Sequence, residues 1–141
     1  MTKSIHLFFE IPADDISVMG EASSTVKKSL NQLGISPDVI KKATIAMYEA
    51  EVNSVIHAGG GTADVEITPE KVIIKIKDKG PGIADLGLAM KEGFSTAPDS
   101  VREMGFGAGM GLPNMKRYAD TLKITSDLEN GTEVLIEVKL K

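Results

Sequence analysis

Three side chains suited to acid–base or metal chemistry, Glu49, Asn53 and His57, recur at i, i+4 and i+8 within the stretch 46–57. In a helix that spacing stacks them on one side, within an arc of about 80°. Ile45, Val52 and Ile56 flank the arc, and Ala46 and Ala50 lie within or beside it. Lys41, Thr44, Tyr48 and Glu51 form the expected wet face. A carboxylate, an amide and an imidazole thus project from the expected buried side, where they are costly unless a partner or a cavity receives them. Two readings are open on this stretch alone. Either the three groups face a ligand, or they are surface residues on a helix whose buried face lies elsewhere.

Glycines mark two further sets of residues. Asp78-x-Gly80-x-Gly82 follows the apolar run Val72-Ile73-Ile74-Lys75-Ile76. An aspartate at a strand end can accept hydrogen bonds from an exocyclic amine, and such glycines let backbone approach a flat ring. The competing reading is a tight turn between a strand and a helix, where Asp and Gly are common. Gly105, Gly107, Gly109 and Gly111 alternate directly before an expected helix. Such a segment can wrap amide N–H groups around phosphates, with the helix dipole adding to the attraction; a flexible hinge is the alternative. It follows a loop and not a strand, and no Gly-Lys-Ser/Thr follows it, so the dinucleotide and Walker readings both fail.

The elements that must position these residues follow from periodicity. Ile5, Leu7, Phe9 and Ile11 alternate as in a strand ending at Pro12, and His6 reads as a strand surface residue. Asp14 or Asp15 is placed to cap a helix with an apolar stripe of Ile16, Met19, Ala22, Val26, Leu30 and Leu33, ended by Gly34. Ser36-Pro37-Asp38 opens the helix bearing Glu49, which stops at Gly59-Gly60-Gly61. Strands are expected over 63–68 and 71–77, a short helix over 85–93, a helix over 112–119, and strands over 122–126 and 132–140 around the turn Glu129-Asn130-Gly131. The pattern predicts an α/β two-layer sandwich: one domain over 1–141, with a mixed, mainly antiparallel sheet of about five strands and helices on one face. Helices arrive as a pair after the first strand, which disfavours a Rossmann sheet.

With 141 residues the chain suffices for one sizeable core and not for two. A net charge of -4 argues against nucleic acid or an anionic membrane as the main partner. Cysteine is absent, which excludes disulfides and thiolate chemistry and fits a reducing compartment. No charged-then-apolar leader and no apolar run of about 18 residues occurs, so a soluble cytoplasmic protein is expected.

Taken in order, Glu49-x-x-x-Asn53, Asp78-x-Gly80-x-Gly82, Gly109-x-Gly111-Leu112 and Gly131-Thr132 resemble the motifs of the Bergerat-fold (GHKL) ATPases, across about residues 45–135. That superfamily includes gyrase, heat-shock chaperones, histidine kinases and MutL. Gly93-Phe94-Ser95-Thr96, together with the run from Gly107 through Pro113 and Asn114 to Arg117, resembles the anti-sigma-factor serine/threonine kinases of partner-switching systems, their stressosome switch-kinase branch above all. The resemblance implies ATP and Mg²⁺ as cofactors. It implies that Asn53 holds Mg²⁺ and that Glu49 is the general base, accepting a proton from a substrate hydroxyl or positioning water. Asp78 would read the adenine amine with Thr132 supporting it, directly or through water, and Gly80 and Gly82 would let backbone pass the base.

Residues 83–108 would form a mobile ATP lid, with Ser95, Thr96 and Arg102 near the phosphates. Gly105, Gly107, Gly109 and Gly111, with Met110 and Leu112 among them, would cradle the phosphates. His57 is placed near the phosphates on the same basis; the alternative is a histidine hydrogen-bonded at the helix end. Lys116 and Arg117 read as a solvated helix end, and Met104, Met110 and Met115 as adaptable packing under the lid.

The function implied is an ATP-dependent serine/threonine protein kinase that phosphorylates a STAS-type antagonist protein. A sigma factor or a phosphatase would be the alternate partner, and a homodimer is compatible with the reading. Rival readings are a non-catalytic ATP-gated binding module, which needs Asn53 and Asp78 but not Glu49, and a detached histidine-kinase ATP-binding domain acting in trans. An ATP hydrolase of the gyrase or MutL type would need a transducer domain.

Overall fold

A computed structural model describes residues 4–11, 20–58, 61–78, 111–127 and 131–140, without the side chains at 55–58, 111–113 and 126–127. Its elements are β1 (Ile5–Ile11), α1 (Glu21–Gln32), α2 (Pro37–Ala58), β2 (Gly61–Ile67), β3 (Lys71–Asp78), α3 (Gly111–Tyr118), β4 (Thr121–Asp127) and β5 (Gly131–Lys139). The strands form one sheet in the order β1-β2-β3-β5-β4. All four pairings are antiparallel, so the parallel component of the expected mixed sheet does not occur among the described strands. The reason is topological. The two helices between β1 and β2 return the chain in the opposite sense, and β5 enters between β3 and β4 as the antiparallel neighbour of both.

Alternation along each strand separates a dry face from a wet one. Val65, Ile74, Ile136 and Val138 point into a core that they share with Leu30, Met47 and Met115. Asp64, Lys75 and Lys123 lie exposed on the other face, where Lys75 pairs with Glu133 at 3.8 Å and Lys71 with Glu137 at 3.0 Å. All three described helices belong to the dry side. α2 packs across β5, β3, β2 and β1, with α1 and α3 against it. Its contact surface is made of small residues, Ala43, Ala46 and Ala50, which let the helix lie close to the sheet beside Met47.

Local chemistry sets the helix ends. The Val39 N–H donates to Ser36 Oγ at 3.4 Å, with Pro37 and Asp38 in the first turn of α2, as the Ser-Pro-Asp sequence requires. α1 ends in a Schellman motif: Gly34 has φ +73°, its N–H donates to the Asn31 carbonyl, and the Ile35 N–H reaches the Leu30 carbonyl.

Two expectations are corrected at the other end of α1. The helix starts at Glu21, preceded by Gly20 at φ 94°, and not at Asp14 or Asp15, which lie outside the described residues. Glu51, assigned above to the wet face, is 3% exposed. Its carboxylate accepts from the N–H groups of Gly20 (3.0 Å), Ala22 (3.3 Å) and Ser23 (3.1 Å). A carboxylate delivered from α2 thus does the work of an N-cap side chain, which Gly20 lacks, and meets the positive end of the helix dipole. The wet-face assignment fails because α1 packs against α2 and brings three amide N–H groups to Glu51. Replacing Glu51 with Ala leaves buried donors without acceptors. We expect a loss of about 3 kcal/mol, read as a lower urea midpoint with unchanged m-value.

Candidate functional site

Among the described residues, the expected site residues fall in two clusters on the helix-covered side of the sheet. The first is at the ends of β3 and β5. Alternation from Ile74 and Ile76 turns Asp78 inward, where it is 8% exposed, and Thr132 is equally buried. The backbone N–H of Thr132 donates to Asp78 Oδ1 at 3.0 Å, so support of Asp78 by Thr132 is direct and comes from the main chain. Glycines flank Asp78 on both neighbouring strands. A Cβ on Gly131, which has φ +90°, would strike the Asp78 carbonyl oxygen and come within 2.8 Å of Oδ1. A Cβ on Gly61, which pairs with Asp78, would strike the Lys77 carbonyl oxygen and come within 2.9 Å of the Asp78 Cα. Gly131→Ala therefore combines steric conflict with an unfavourable backbone region. We expect a loss of about 2–3 kcal/mol in chemical denaturation.

The second cluster sits where α2 meets α3. Glu49 and Asn53 are half-buried on successive turns of α2, and α3 packs against that helix. Burial pushes the Glu49 carboxyl above the usual carboxylate range, and a side-chain hydrogen bond from Asn114 on α3 pulls the other way. The hydroxyl of neighbouring Tyr48 is also raised, by burial first and then by the charges of Glu49 and Glu51. Met115, beside Asn114, is wholly buried and anchors α3 against the core, while Lys116 and Arg117 are exposed as expected for a solvated helix end.

Asn114 was not singled out in the sequence as a site residue. The available signal was its place three residues beyond the glycine run, in the first turns of a helix bound to pack near Glu49. Gly111 and Leu112 begin α3, and the backbone of His57 lies in the last turn of α2. The side chains of His57 and Leu112 are outside the described residues, as are Gly80, Gly82, Ser95, Thr96, Arg102, Gly105, Gly107, Gly109 and Met110.

A half-buried carboxylate whose proton affinity is raised by burial can serve as a proton acceptor. A buried aspartate locked by a main-chain amide presents a fixed acceptor. Residues 38–141 match the family profile described as histidine kinase-, DNA gyrase B-, and HSP90-like ATPase. The chain belongs to this family. Within the family, it is 32% identical over 126 residues to an anti-sigma F factor of Clostridium novyi (strain NT), covering 85% of each chain. It is also 32% identical over 107 residues to the serine/threonine-protein kinase RsbT of Bacillus subtilis (strain 168), covering 73% of this chain and 74% of that one. In fold it is similar to the crystal structure of the RsbU and RsbW domains of Rv1364c from Mycobacterium tuberculosis. There the TM-score is 0.62 at 14% identity, over 96% of this chain and 32% of that one. The family's ATP-binding fold accounts for an antiparallel sheet carrying its helices on one face.

Proposed function

We propose that the protein is an ATP-dependent serine/threonine protein kinase that phosphorylates a STAS-type partner in a partner-switching system of the cytoplasm. The observation that carries this reading is Glu49: a carboxylate raised by burial, one turn before Asn53, on the side of the sheet to which Asp78 also points. The names of the relatives support the reaction class and the anti-sigma context.

The residues present fit ATP and Mg²⁺. Gly131 and Gly61 keep side chains away from Asp78, so its carboxylate can meet a flat base with an exocyclic amine. Among the described residues no group of three or more His, Cys, Asp or Glu side chains could hold a metal. By the resemblance to the family's motifs, the metal would be held by the Asn53 amide oxygen together with phosphate oxygens, in keeping with the sparse protein ligation of Mg²⁺. When bound, Mg²⁺·ATP supplies the phosphoryl group and the neutralisation of its charge. In this reading Asp78 fixes the position of the base. Glu49 accepts the proton of the Ser or Thr hydroxyl as its oxygen becomes the nucleophile. The helix start at Gly111 and the preceding glycines orient the phosphates.

The direct test is incubation with γ-labelled ATP and a STAS protein that carries a Ser or Thr, followed by mapping of the labelled residue. Acid-stable label on that hydroxyl is expected. No transfer by protein that binds ATP would overturn the kinase reading for that pair, and acid-labile label on a histidine would point to histidine-kinase chemistry. Asn53→Ala is expected to weaken Mg²⁺-dependent ATP binding by about 10²-fold or more, measured by calorimetry with and without the metal.

A further inference from the structure

The sheet ends in two edge strands that are guarded differently. β4 carries the exposed Lys123, and a lysine on an edge discourages a further strand from pairing there. β1 is the other edge, seven residues (Ile-His-Leu-Phe-Phe-Glu-Ile) without lysine, glycine or proline. Among the described residues it pairs only with β2, so a second row of its N–H and C=O groups faces outward. The exposed large apolar side chains gather on the same elements. Among the described residues they are Ile5 and Phe8 of β1, and Leu33 at the C-cap of α1, the helix that contacts β1. Phe8 is 63% exposed, and the residue opposite it on β2 is Asp64, which gives its ring no apolar neighbour across the pair.

The order of side chains on β1 selects what fits against it. A strand paired antiparallel with its own copy about a two-fold axis matches residues whose numbers have a constant sum. An odd sum sets the dry face of one copy beside the wet face of the other, which strands the apolar set in water. Of the even registers, only the one centred on Phe8 uses all seven residues. It sets Phe8 against Phe8 and His6 against Glu10 on the wet face. On the dry face it sets Leu7 against Phe9 and Ile5 against Ile11. A shift to either neighbouring even register brings Phe8 against Glu10 or against His6.

We infer that β1 is a self-association edge, on which a second copy of this chain pairs antiparallel, centred on Phe8, to make one sheet continuous across both copies. Cross-strand aromatic and aliphatic pairs and opposed polar pairs all favour this register. His6 is exposed and lies 3.9 Å from Glu66 of its own chain, so its ring already stands beside one carboxylate. Glu10 of the second copy supplies another, and an imidazole N–H can donate to a carboxylate whether or not the ring is protonated. On the dry face Leu7 and Phe9 are half-buried against the core and Ile11 is buried, so the pairing prolongs an existing apolar layer. The two-fold axis runs along the sheet normal. Both copies therefore keep their helices on one side, with Asp78 on the third strand in from the joined edge.

The inference does not depend on the kinase reading, and its test needs no nucleotide. Sedimentation equilibrium of the wild-type chain is expected to show monomer and dimer in the micromolar range. Phe8→Lys changes an exposed side chain, so the circular dichroism spectrum is expected to persist while the dimer weakens at least about tenfold. Glu10→Lys is expected to weaken it too, and adding His6→Glu to that variant is expected to restore part of the loss, because opposite charges again face each other across the copies. Position is read with Phe8→Cys and Lys123→Cys, each the sole thiol in a chain that has no cysteine. A short bifunctional thiol reagent is expected to join two copies through position 8 and not through position 123. A wild-type chain that stays monomeric throughout the micromolar range would overturn the inference. So would a dimer indifferent to Phe8→Lys, or one linked through position 123 and not through position 8.

Discussion

Glu49→Gln is expected to bind ATP as wild type does and to lose phosphoryl transfer by about 10²–10⁴-fold. The substitution keeps length, shape and the ability to accept a hydrogen bond from Asn114, and removes only the site that takes the proton. It is also expected to leave the fold intact or slightly firmer at neutral pH. The Glu49 carboxyl lies above its ordinary value because burial disfavours the charged form. Such a group contributes stability that is fully present below the unfolded pKa and is lost as pH rises through the folded one. Replacing it with a neutral amide should therefore stabilise above that window and make little difference at acid pH. The same elevation sets the wild-type pH profile: transfer should decline as acidification protonates Glu49, at a higher pH than for an ordinary carboxylate. Transfer rates across pH, with parallel urea titrations, check both statements. A Glu49→Gln protein that retains regulatory function without transfer would favour the ATP-gated binding module. A protein that lost stability alone would return Glu49 to a structural role.

Asp78→Asn is expected to lower ATP affinity by about 10²-fold while altering stability by no more than about 1 kcal/mol. The amide oxygen of asparagine can still receive the Thr132 N–H, which in wild type donates to Asp78 Oδ1 at 3.0 Å. The other terminal atom changes from an acceptor to a donor. A base that offers an exocyclic amine then meets a donor facing a donor in a buried setting, where an unmade hydrogen bond costs most. The contrast with guanine nucleotides sharpens the test: discrimination between ATP and GTP should shrink in the variant. Titration with a fluorescent ATP analogue and competition by GTP would read it. An affinity within about threefold of wild type would remove Asp78 from the site.

Much of this protein is written locally. Alternation in Ile5–Ile11 and in Gly131–Lys139 marks strands with one dry face, because side chains in a strand repeat every two residues. Ser36-Pro37-Asp38 and Gly34 mark helix ends, because capping and positive φ are satisfied within a few residues. Motif order from Glu49 to Thr132 was enough to point to the ATPase family that the profile match supports.

Other features depend on which surfaces meet. Glu51 and Glu49 lie two residues apart on one helix, and periodicity separates them by about 200° without saying what lies on each side. α1 covers the first and makes it a cap for Gly20, Ala22 and Ser23; α3 covers the second and brings Asn114 to it. The start of α1 was misplaced for the same reason, since its cap comes from α2 and not from the preceding loop. The sequence by itself determined the order of the described strands and helices, the dry face of the strands and the residue types able to do chemistry, while the expected helix over 85–93 lies outside the described residues. Tertiary packing alone decided which polar group is buried, what each one bonds to and how its proton affinity is set, because desolvation and hydrogen bonding act between neighbours in space.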